Sequence, residues 1–326
     1  MITTETKRKL SKPINYKISK LELPEEPALL YDPVRYTLSL GGKRLRYCLT
    51  LLSTGICGGK PEEAANAAHA IEMLHNFTLL HDDIMDGAET RRGKPTVYKK
   101  WGVSNAILSG DIMFVKAFEL LGKYRNHKRY SDIIDIFVKS SREVCEGQSY
   151  DMEFEERDDV TVDEYLNMIR GKTASLIRGA LLIGGAVADA DEQTLEKLER
   201  IGNEIGIAFQ IQDDLLDVIG DPKKFGKDIG SDIREGKKTY LILLALQRCN
   251  NRESMWLTRK MQRSPLSDSD IKKIVLLLQK YGVIDITKKK INYHFKRAFE
   301  KISTFEDCKY NRDITKLIEY VQKRDF

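Results

Sequence analysis

Apolar residues recur at steps of three and four positions along most of the chain. In the segment 62–81, which is rich in alanine, leucine, methionine and glutamate, the positions of Leu74, Phe77 and His81 follow this spacing. Such spacing is typical of an α-helix with one buried face. The same pattern predicts further helices over 104–124, 131–155, 162–188, 191–218, 237–248, 268–301 and 311–323.

The positions of the prolines favour long helices. No proline lies between residues 96 and 221, and a stretch of that kind permits helices without kinks. The sequence contains no series of alternating apolar strands separated by tight turns. We therefore predict an all-α fold. Because no linker rich in glycine, serine or proline divides the chain, we predict a single all-helical domain over 21–326.

The basic charge of the chain is concentrated at its amino terminus. Residues 1–20 hold six basic side chains against one acidic, which equals the formal net charge of +5 for the whole chain. The other 306 residues are neutral overall, whereas a nucleic-acid-binding surface would carry a concentrated basic excess, so we expect no nucleic-acid partner. The leader lacks the apolar stretch of a secretory signal, and no later apolar run is long enough to span a membrane. We therefore expect a flexible basic leader over 1–20 and no integral membrane association.

The cysteines indicate a cytoplasmic protein. The five form an odd set with no CxxC pair or Cys/His ligand spacing. Neither a disulfide framework nor a zinc site is therefore predicted. Reduced thiols are typical of cytoplasmic proteins.

Two short phrases carry clustered aspartates near the ends of predicted apolar helices. They are HDDIMD at 81–86 and QDDLLD at 212–217. Residues four positions apart on a helix lie on nearly the same face, so the first and last aspartates of each phrase can face one point. A single match could be a solvated helix end, but the repetition favours a shared function. The predicted cluster residues are Asp82, Asp83, Asp86, Asp213, Asp214 and Asp217.

Carboxylates without neighbouring cysteines or a histidine cluster favour a hard, oxygen-binding cation. Mg²⁺ in particular keeps several waters and completes its coordination with phosphate oxygens of a substrate. The two clusters therefore predict a phosphorylated ligand bridged by magnesium. Such a ligand also needs basic groups, and three motifs supply them: GGKRLR at 41–46, TRRGKPT at 90–96 and FGKDIGSDIREGKKT at 225–239.

These motifs, in this order, resemble those of the trans-isoprenyl diphosphate synthases, the polyprenyl synthetase family. The resemblance extends from about Tyr31 to Leu244 and rests on GGKRLR, LLHDDIMD, TRRGKPT, EGQSYD, GKTASL, and FQIQDDLLDVIGD followed by GKDIGSDIREGKKT. It implies an all-α bundle of isoprenoid-synthase type around a central cavity, usually in a homodimer. It also implies a trans-prenyltransferase that joins isopentenyl diphosphate head-to-tail to an allylic diphosphate after Mg²⁺-assisted ionisation.

Individual roles follow from the same resemblance. Asp82 and Asp86 would bind two Mg²⁺ ions and Asp213 a third, while the other three aspartates would act through water. The diphosphate of the allylic substrate would be held by Arg91, Lys172, Lys227 and Lys237, with Lys238 as a competitor for the last place. The diphosphate of isopentenyl diphosphate would be held by Lys43, Arg46, His75 and Arg92. Dipoles facing the developing allylic cation would come from Lys172, Thr173 and Gln210.

Two histidines leave alternatives open, and Tyr47 departs from the family motif. His75 is as well explained by packing between helices as by a substrate contact, and packing is the simpler interpretation of His81. Tyr47 stands where family members of the GGKRLRP type have proline. This departure alters the start of a helix but removes no charge.

Product length is predicted from the helix that precedes the first cluster. A growing hydrocarbon must run alongside this helix, and Phe77 lies five positions before Asp82, about 7.5 Å back along the axis. By the resemblance, an aromatic residue at this position alone is similar to C20 synthases, and the small Thr78 follows it. Leu74 also contributes to the floor. We therefore predict a geranylgeranyl (C20) product, with C15 or C25 as alternatives, unless Phe77 only packs between helices.

Two other functions use parts of the same pattern. A terpene cyclase needs the same metal-triggered ionisation but only one diphosphate site, whereas Lys43, Arg46 and Arg92 predict a second. A non-catalytic partner subunit would keep the bundle and modulate another synthase, yet every metal and phosphate position is filled here. Product formation that depends on isopentenyl diphosphate, by the purified chain alone, separates these possibilities.

Overall fold

The computed structural model describes residues 21–220, 230–263 and 265–323. The regular secondary structure in these ranges is helical apart from one short hairpin, so the prediction of an all-α fold is confirmed. The leader over 1–20 and Lys227 lie outside the described residues.

The α-helices are α1 Ala28–Ser39, α2 Leu45–Ile56, α3 Ala65–Met85, α4 Val97–Trp101, α5 Val103–Leu121, α6 Tyr130–Glu156, α7 Val162–Ile169, α8 Ser175–Val187, α9 Glu192–Ile219, α10 Ser231–Arg234, α11 Tyr240–Arg248, α12 Asn251–Met261, α13 Asp268–Lys280, α14 Val283–Ile302 and α15 Lys309–Gln322.

Shorter elements complete this architecture. The hairpin pairs β1 Thr90–Arg91 with β2 Lys94–Pro95 in antiparallel register. Two 3₁₀ turns and one π-helix are also present in the described ranges, at Pro61–Ala64, Gly122–Tyr124 and Arg170–Ala174. No helix within these ranges is both long and apolar enough to cross a lipid bilayer.

Two predicted helices are interrupted in the structure. The segment predicted over 268–301 is divided into α13 and α14 because Gly282 adopts a left-handed φ of 65°, which ends the first helix. The segment predicted over 162–188 contains the π-helix Arg170–Ala174. Helical periodicity alone did not reveal either interruption.

Five observed α-helices were not predicted: the short α4 and α10, and three longer helices whose compositions explain why. Helix α1 contains Pro33, which ordinarily argues against a helix interior. Helix α2 is rich in serine and threonine, and the hydroxyl of Thr54 donates to the carbonyl of Thr50 one turn earlier. Helix α12 has little apolar periodicity, but the side chain of Asn250 caps its start by accepting the N–H of Glu253 at 2.9 Å.

Close backbone contacts group the chain into two compact units, each built from segments that are distant in sequence. The first contains the described residues of Met1–Ser141, Gly179–Glu199 and Phe305–Lys316. The second contains the described residues of Arg142–Arg178, Arg200–Thr304 and Leu317–Phe326. The single domain expected over 21–326 stays a prediction.

In the first unit, α3 packs along α5, and α2 contacts α3 as well. Ile71 and Leu74 of α3 and Met113 and Leu121 of α5 are almost fully buried. Burial of each such side chain contributes about 1.5–3 kcal/mol. This packing holds the carboxyl end of α3, which carries the first aspartate cluster.

In the second unit, α11 contacts α7, α12, α13 and α14. Its residues Leu241 and Ile242 are fully buried, as are Phe295 of α14 and Leu215 of α9. Leu215 lies within the QDDLLD phrase, so the second aspartate cluster is attached directly to this core.

Candidate active site

The first aspartate cluster occupies the last turn of α3. Asp82 is partly exposed, Asp83 is buried, and Asp86 is exposed at the carboxyl cap of the helix. Carboxylates are disfavoured there, because the helix dipole places partial negative charge at the same end. Such an arrangement reduces stability by itself and suits a bound cation.

Asp83 already has a cationic partner in the protein. The Nε atom of Arg91 donates to Oδ1 of Asp83 at 2.6 Å. Burial raises the pKa of Asp83, and the guanidinium opposes this shift. Asp83 therefore positions Arg91 beside the cluster, while Asp82 and Asp86 are the more exposed carboxylates.

The carboxylates fit magnesium better than a metal held by protein ligands alone. Among the described residues, no group of three or more histidine, cysteine or acidic side chains could hold a metal ion together. Mg²⁺ is commonly held by one or two carboxylates, with waters and substrate phosphates completing its shell. Asp82 and Asp86, one helical turn apart, match that donor set.

The β1–β2 hairpin presents Arg92 to the glycine loop that precedes α2. Arg92 and Gly93 both have positive φ, 55° and 72°, as a two-residue type I′ turn requires. The Nη1 atom of Arg92 donates to the carbonyl of Gly41. A Cβ at Gly42 would lie 2.9 Å from the guanidinium, so glycine is needed there for the arginine to approach. The structure thus joins the GGKRLR and TRRGKPT motifs.

Arg46 and His75 form a second polar pair in this unit. Nη1 of Arg46 lies 3.2 Å from Nε2 of His75. A guanidinium can only donate, so His75 accepts through Nε2 and carries its proton on Nδ1. Burial lowers the pKa of His75 well below its ordinary value, and the nearby cations add to this shift: Arg46, Arg92, Arg44 and Arg91. His75 is therefore a neutral donor surrounded by arginines.

The remaining basic residues of GGKRLR differ in their surroundings. Lys43 is exposed. Arg44 has a left-handed φ of 49° and turns into the core, where it pairs with Glu72 at 2.9 Å and donates to the carbonyl of Leu38 at 2.6 Å. Arg44 is thus a buried structural residue. The nearby Tyr47 is fully buried and packs edge-on against His69.

The second aspartate cluster lies near the carboxyl end of α9. Asp213 is partly exposed, whereas Asp214 is buried. Asp217 caps α10: its carboxylate accepts the N–H and hydroxyl of Ser231 at 3.2 and 2.6 Å and the N–H of Asp232 at 3.1 Å. Asp217 therefore positions the segment that carries Asp232.

A chain of hydrogen bonds runs from Thr173 to Tyr165. The hydroxyl of Thr173 donates to Oε1 of Gln210 at 2.6 Å, and Nε2 of Gln210 donates to Asp214 at 3.0 Å. The other carboxylate oxygen of Asp214 accepts from the hydroxyl of Tyr165. Burial raises the pKa of Asp214 to about 7, and its two donors oppose the shift. The chain fixes the orientation of the Gln210 amide.

Lys172 lies in the π-helix Arg170–Ala174, and its Nζ atom contacts Oδ2 of Asp151 at 2.5 Å. Two glycines allow neighbouring helices to approach this segment closely. A Cβ at Gly147 would lie 2.1 Å from the backbone nitrogen of Lys172, and one at Gly206 would lie 2.3 Å from Cα of Ala174. Isolated π-helical turns are frequent at functional sites. The EGQSYD motif thus supplies both the close approach and the carboxylate partner.

The two lysines of the KK pair have different environments. Nζ of Lys238 donates to the carbonyls of Phe154 and Glu155 at 2.7 and 3.0 Å, at the end of α6. Nζ of Lys237 lies 3.1 Å from Glu235 and 4.0 Å from Asp232. Lys238 is engaged as a helix cap, which favours Lys237 as the diphosphate ligand.

These side chains line a cavity of about 100 Å³ within the second unit. Its lining includes Asp151, Tyr165, Lys172, Gln210, Asp214 and Lys237. Lys227, also predicted for this group, lies outside the described residues. The cavity combines cations with the oriented dipoles that an ionising diphosphate ester requires.

The predicted chain-length residues lie on α3 with different burial. Phe77 packs against Phe114 of α5, with ring centroids 5.4 Å apart, and Phe114 in turn contacts Phe118 and Phe137. The hydroxyl of Thr78 donates to the carbonyl of His75 at 2.9 Å. Leu74 is buried in the core. Phe77 is therefore backed by a cluster of aromatic rings.

Sequence reasoning did not identify Tyr165 and Asp151 as site residues. Asp151 belongs to the EGQSYD motif, so a partner for Lys172 could have been sought there. Tyr165 has no distinctive sequence signal, because a buried tyrosine on an amphipathic helix ordinarily packs in the core. Only the contact with Asp214 reveals its part in the site.

Comparisons with known proteins agree with this geometry. The polyprenyl synthetase family model matches residues 27–278. A short chain isoprenyl diphosphate synthase of Methanocaldococcus jannaschii is 43% identical over 250 residues, which cover 77% of this chain and 76% of that protein. A geranylgeranyl diphosphate synthase of Saccharolobus solfataricus is 42% identical over 260 residues, 78% of each chain.

The fold also matches a solved structure. The crystal structure of geranylgeranyl pyrophosphate synthetase from Pyrococcus horikoshii Ot3 has a TM-score of 0.92 and 39% sequence identity, covering 98% of this chain and 99% of that chain. The family match and the similarity to these relatives extend over most of the chain. The chain therefore belongs to the polyprenyl synthetase family and is an isoprenyl diphosphate synthase, a trans-prenyltransferase.

Proposed function

We propose that this chain joins isopentenyl diphosphate head-to-tail to allylic diphosphates and forms mainly geranylgeranyl diphosphate. The observation that carries this proposal is the presence of two sets of basic groups, one in each compact unit. One set surrounds Arg46, His75 and Arg92, and the other surrounds Lys172 and Lys237. Two sets suit two diphosphate substrates, whereas a terpene cyclase needs one.

The allylic diphosphate is assigned to Arg91, Lys172, Lys227 and Lys237. Bound Mg²⁺, which we propose to number three per active site, supplies charge neutralisation for the diphosphate leaving group. In the first step the allylic carbon–oxygen bond breaks, and both electrons go to the diphosphate oxygen. Lys172 and Lys237 stabilise that negative charge, and the oxygens of Thr173 and Gln210 face the allylic cation.

Isopentenyl diphosphate is assigned to Lys43, Arg46, His75 and Arg92. The neutral imidazole of His75 offers its Nδ1 proton to a phosphate oxygen, while the three cations bind the charge. The double bond of isopentenyl diphosphate then attacks the allylic cation, forming the new carbon–carbon bond. A proton leaves the adjacent carbon and is accepted by the released diphosphate, so no nucleophilic side chain is required.

Phe77 is assigned as the floor that limits the product to C20. Its ring rests on Phe114, which is itself supported by Phe118 and Phe137. Phe77→Ala is therefore expected to lengthen the product, and Phe114 provides the next barrier. An unchanged product distribution from folded Phe77→Ala protein would reject this assignment and show that other residues limit the product length.

A homodimer is the proposed assembly. Several large apolar residues of α5 are 42–55% exposed although the opposite face of this helix is buried: Val103, Ile107, Leu108 and Val115. An exposed apolar patch of this kind is typical of an interaction surface. Replacement of both Ile107 and Leu108 by Glu is expected to give monomers in light scattering. Dimers of that double variant would place the interface elsewhere.

The decisive experiment is incubation of the purified chain with Mg²⁺, isopentenyl diphosphate and, separately, dimethylallyl, geranyl and farnesyl diphosphates. Mass spectrometry of the products is expected to show mainly C20, and chelation of the metal should abolish them. Folded protein that elongates no starter would favour a non-catalytic partner subunit. Products formed without isopentenyl diphosphate would favour a cyclase. The cytoplasmic location stays a prediction.

A further inference from the structure

His81 fills a space between α3 and α5 directly before the first metal-binding aspartate. Its Nε2 atom lies 3.2 Å from the backbone carbonyl oxygen of Ile107. A carbonyl oxygen can only accept, so Nε2 carries a proton and cannot be a metal ligand. Nε2 of His81 is therefore directed at the backbone of α5.

The surface of α5 is shaped to receive this ring. A Cβ at Gly110 would lie 2.3 Å from Nε2 of His81 and 2.7 Å from Cδ2. Gly110 is fully buried within a helix and has no positive φ, so its backbone conformation does not require glycine. The absent side chain instead leaves the room that the imidazole occupies.

The same ring contacts the proposed product floor. The centroids of His81 and Phe77 are 4.6 Å apart, with an edge-on geometry. Phe77 and His81 are one turn apart on α3, and Gly110 and Phe114 are one turn apart on α5. Across the two helices, the ring of Phe77 packs against the ring of Phe114, and the ring of His81 packs against Gly110. The Phe77 ring is therefore bounded by Phe114 and by His81.

We propose that His81 is a positioning residue that determines product length by holding the ring of Phe77 across the floor. The inference rests on the proposed C20 synthase function and deepens it. The rotamer of an aromatic side chain is set by its neighbours. Without the imidazole, the ring of Phe77 therefore has room to rotate into the space beside Gly110 of α5. The floor then lies deeper and admits a further isoprene unit.

Two substitutions test the position of the His81 ring: one removes the ring and the other displaces it. His81→Ala removes it and is expected to raise the ratio of C25 to C20 product at least about tenfold. Gly110→Ala keeps the ring but forces it away from α5 toward Phe77, so the share of C15 product should rise. Gly122→Ala is the matched control, because a Cβ at this other glycine of the same region meets nothing within 4 Å.

The double variant tests whether the two effects share one cause. In a His81→Ala background, Gly110→Ala has no ring to displace and should change the product distribution no further. The product ratio is compared at equal concentrations of folded enzyme and of both substrates, so that loss of folded enzyme alone does not alter it. If His81→Ala fails to fold, Gly110→Ala against Gly122→Ala still tests the inference.

The outcomes separate this inference from the proposed function. A product length that changes in Phe77→Ala but not in His81→Ala or Gly110→Ala would overturn only the role of His81. Additive effects in the double variant would also overturn it. An unchanged product from Phe77→Ala would reject the floor and the role of His81 together, while absence of elongation by the wild type would reject the proposed function itself.

Discussion

The two aspartate clusters share a sequence phrase but differ in how the fold surrounds them. In the first, the buried middle carboxylate of Asp83 is countered by a formal cation, Arg91, at 2.6 Å. In the second, the corresponding Asp214 is held by two neutral donors, Tyr165 and Gln210. Asp86 is exposed at a helix end, whereas Asp217 caps α10. Equal spacing therefore does not imply equal roles.

The difference indicates that the six carboxylates have different roles. Asp82, Asp86 and Asp213 retain more exposure than Asp83 and Asp214. The buried pair positions other groups: Arg91 in one cluster and the Gln210–Thr173 pair in the other. Substitutions in the two clusters and their partners should therefore have unequal consequences, and three measurements test this, while a fourth concerns His75 in the first unit.

The largest effect is expected at an exposed carboxylate. Asp82→Asn keeps the shape of the side chain but removes a ligand charge, so kcat should fall about a thousandfold through loss of several kcal/mol of charge stabilisation. Steady-state kinetics over a range of Mg²⁺ concentrations measures this. A loss below tenfold at saturating Mg²⁺ would contradict the metal assignment.

A smaller effect is expected from the hydrogen-bond chain of the second cluster. Tyr165→Phe removes one donor to Asp214 and should lower kcat roughly tenfold, with KM for isopentenyl diphosphate little changed, because the Gln210 amide is less well oriented. Tyr240→Phe is the control, since this buried tyrosine lies 6.2 Å away between ring centroids. Equal losses in the two variants would show that Tyr165 has no special role.

Stability should distinguish the last aspartates of the two phrases. Asp217→Ala removes the acceptor for Ser231 and Asp232 and is expected to cost about 1–2 kcal/mol of unfolding free energy, as for other helix caps. Asp86→Ala should change stability by less than about 0.5 kcal/mol, because the residue is exposed and opposes the helix dipole. Denaturant unfolding at saturating chelator measures the unfolding free energies of both variants. A larger loss in Asp86→Ala than in Asp217→Ala would contradict the expected difference.

The smallest effect concerns pH and is confined to the first unit. The pKa of His75 is held below its ordinary value, so the folded protein stays unprotonated there while the unfolded chain takes up a proton below about pH 6.5. Stability is thus unaffected above that pH and falls below it, by up to about 1.4 kcal/mol per pH unit. His75→Gln should remove this part of the decline.

The unfolding free energies of wild type and His75→Gln at pH 7.5, 6.5 and 5.5 measure the effect. Their difference should change by less than about 0.5 kcal/mol between the first two values and by more, in favour of the variant, at the third. A difference that is the same at all three values would show that His75 titrates normally in the folded protein.

Several features were predictable because they depend on short stretches of sequence. Helical periodicity indicated α3, α5 and α9, since one buried face repeats every three or four residues. The motifs indicated the aspartates, the basic residues and the family for the same reason. The break at Gly282 and the π-helix were missed because close packing and a single left-handed residue leave no periodic signal.

The partners of the charged side chains were not predictable. Arg44 and Arg46 are two positions apart, yet one pairs with buried Glu72 and the other contacts His75. Lys237 and Lys238 are adjacent, and only the second caps α6. In each case the direction of a side chain depends on elements that are distant in the sequence.

By itself the sequence determined the helical class, the family and the residue types on which the proposed binding of two diphosphates with magnesium rests. Those properties follow from local spacing and from the chemistry of carboxylates, guanidinium groups and ammonium groups. Only the tertiary structure decided that Asp217 caps α10, that Tyr165 holds Asp214, and that His81 lies between Phe77 and Gly110. Burial and hydrogen bonding between distant segments assign those roles, because a side chain's function depends on the groups that fold against it.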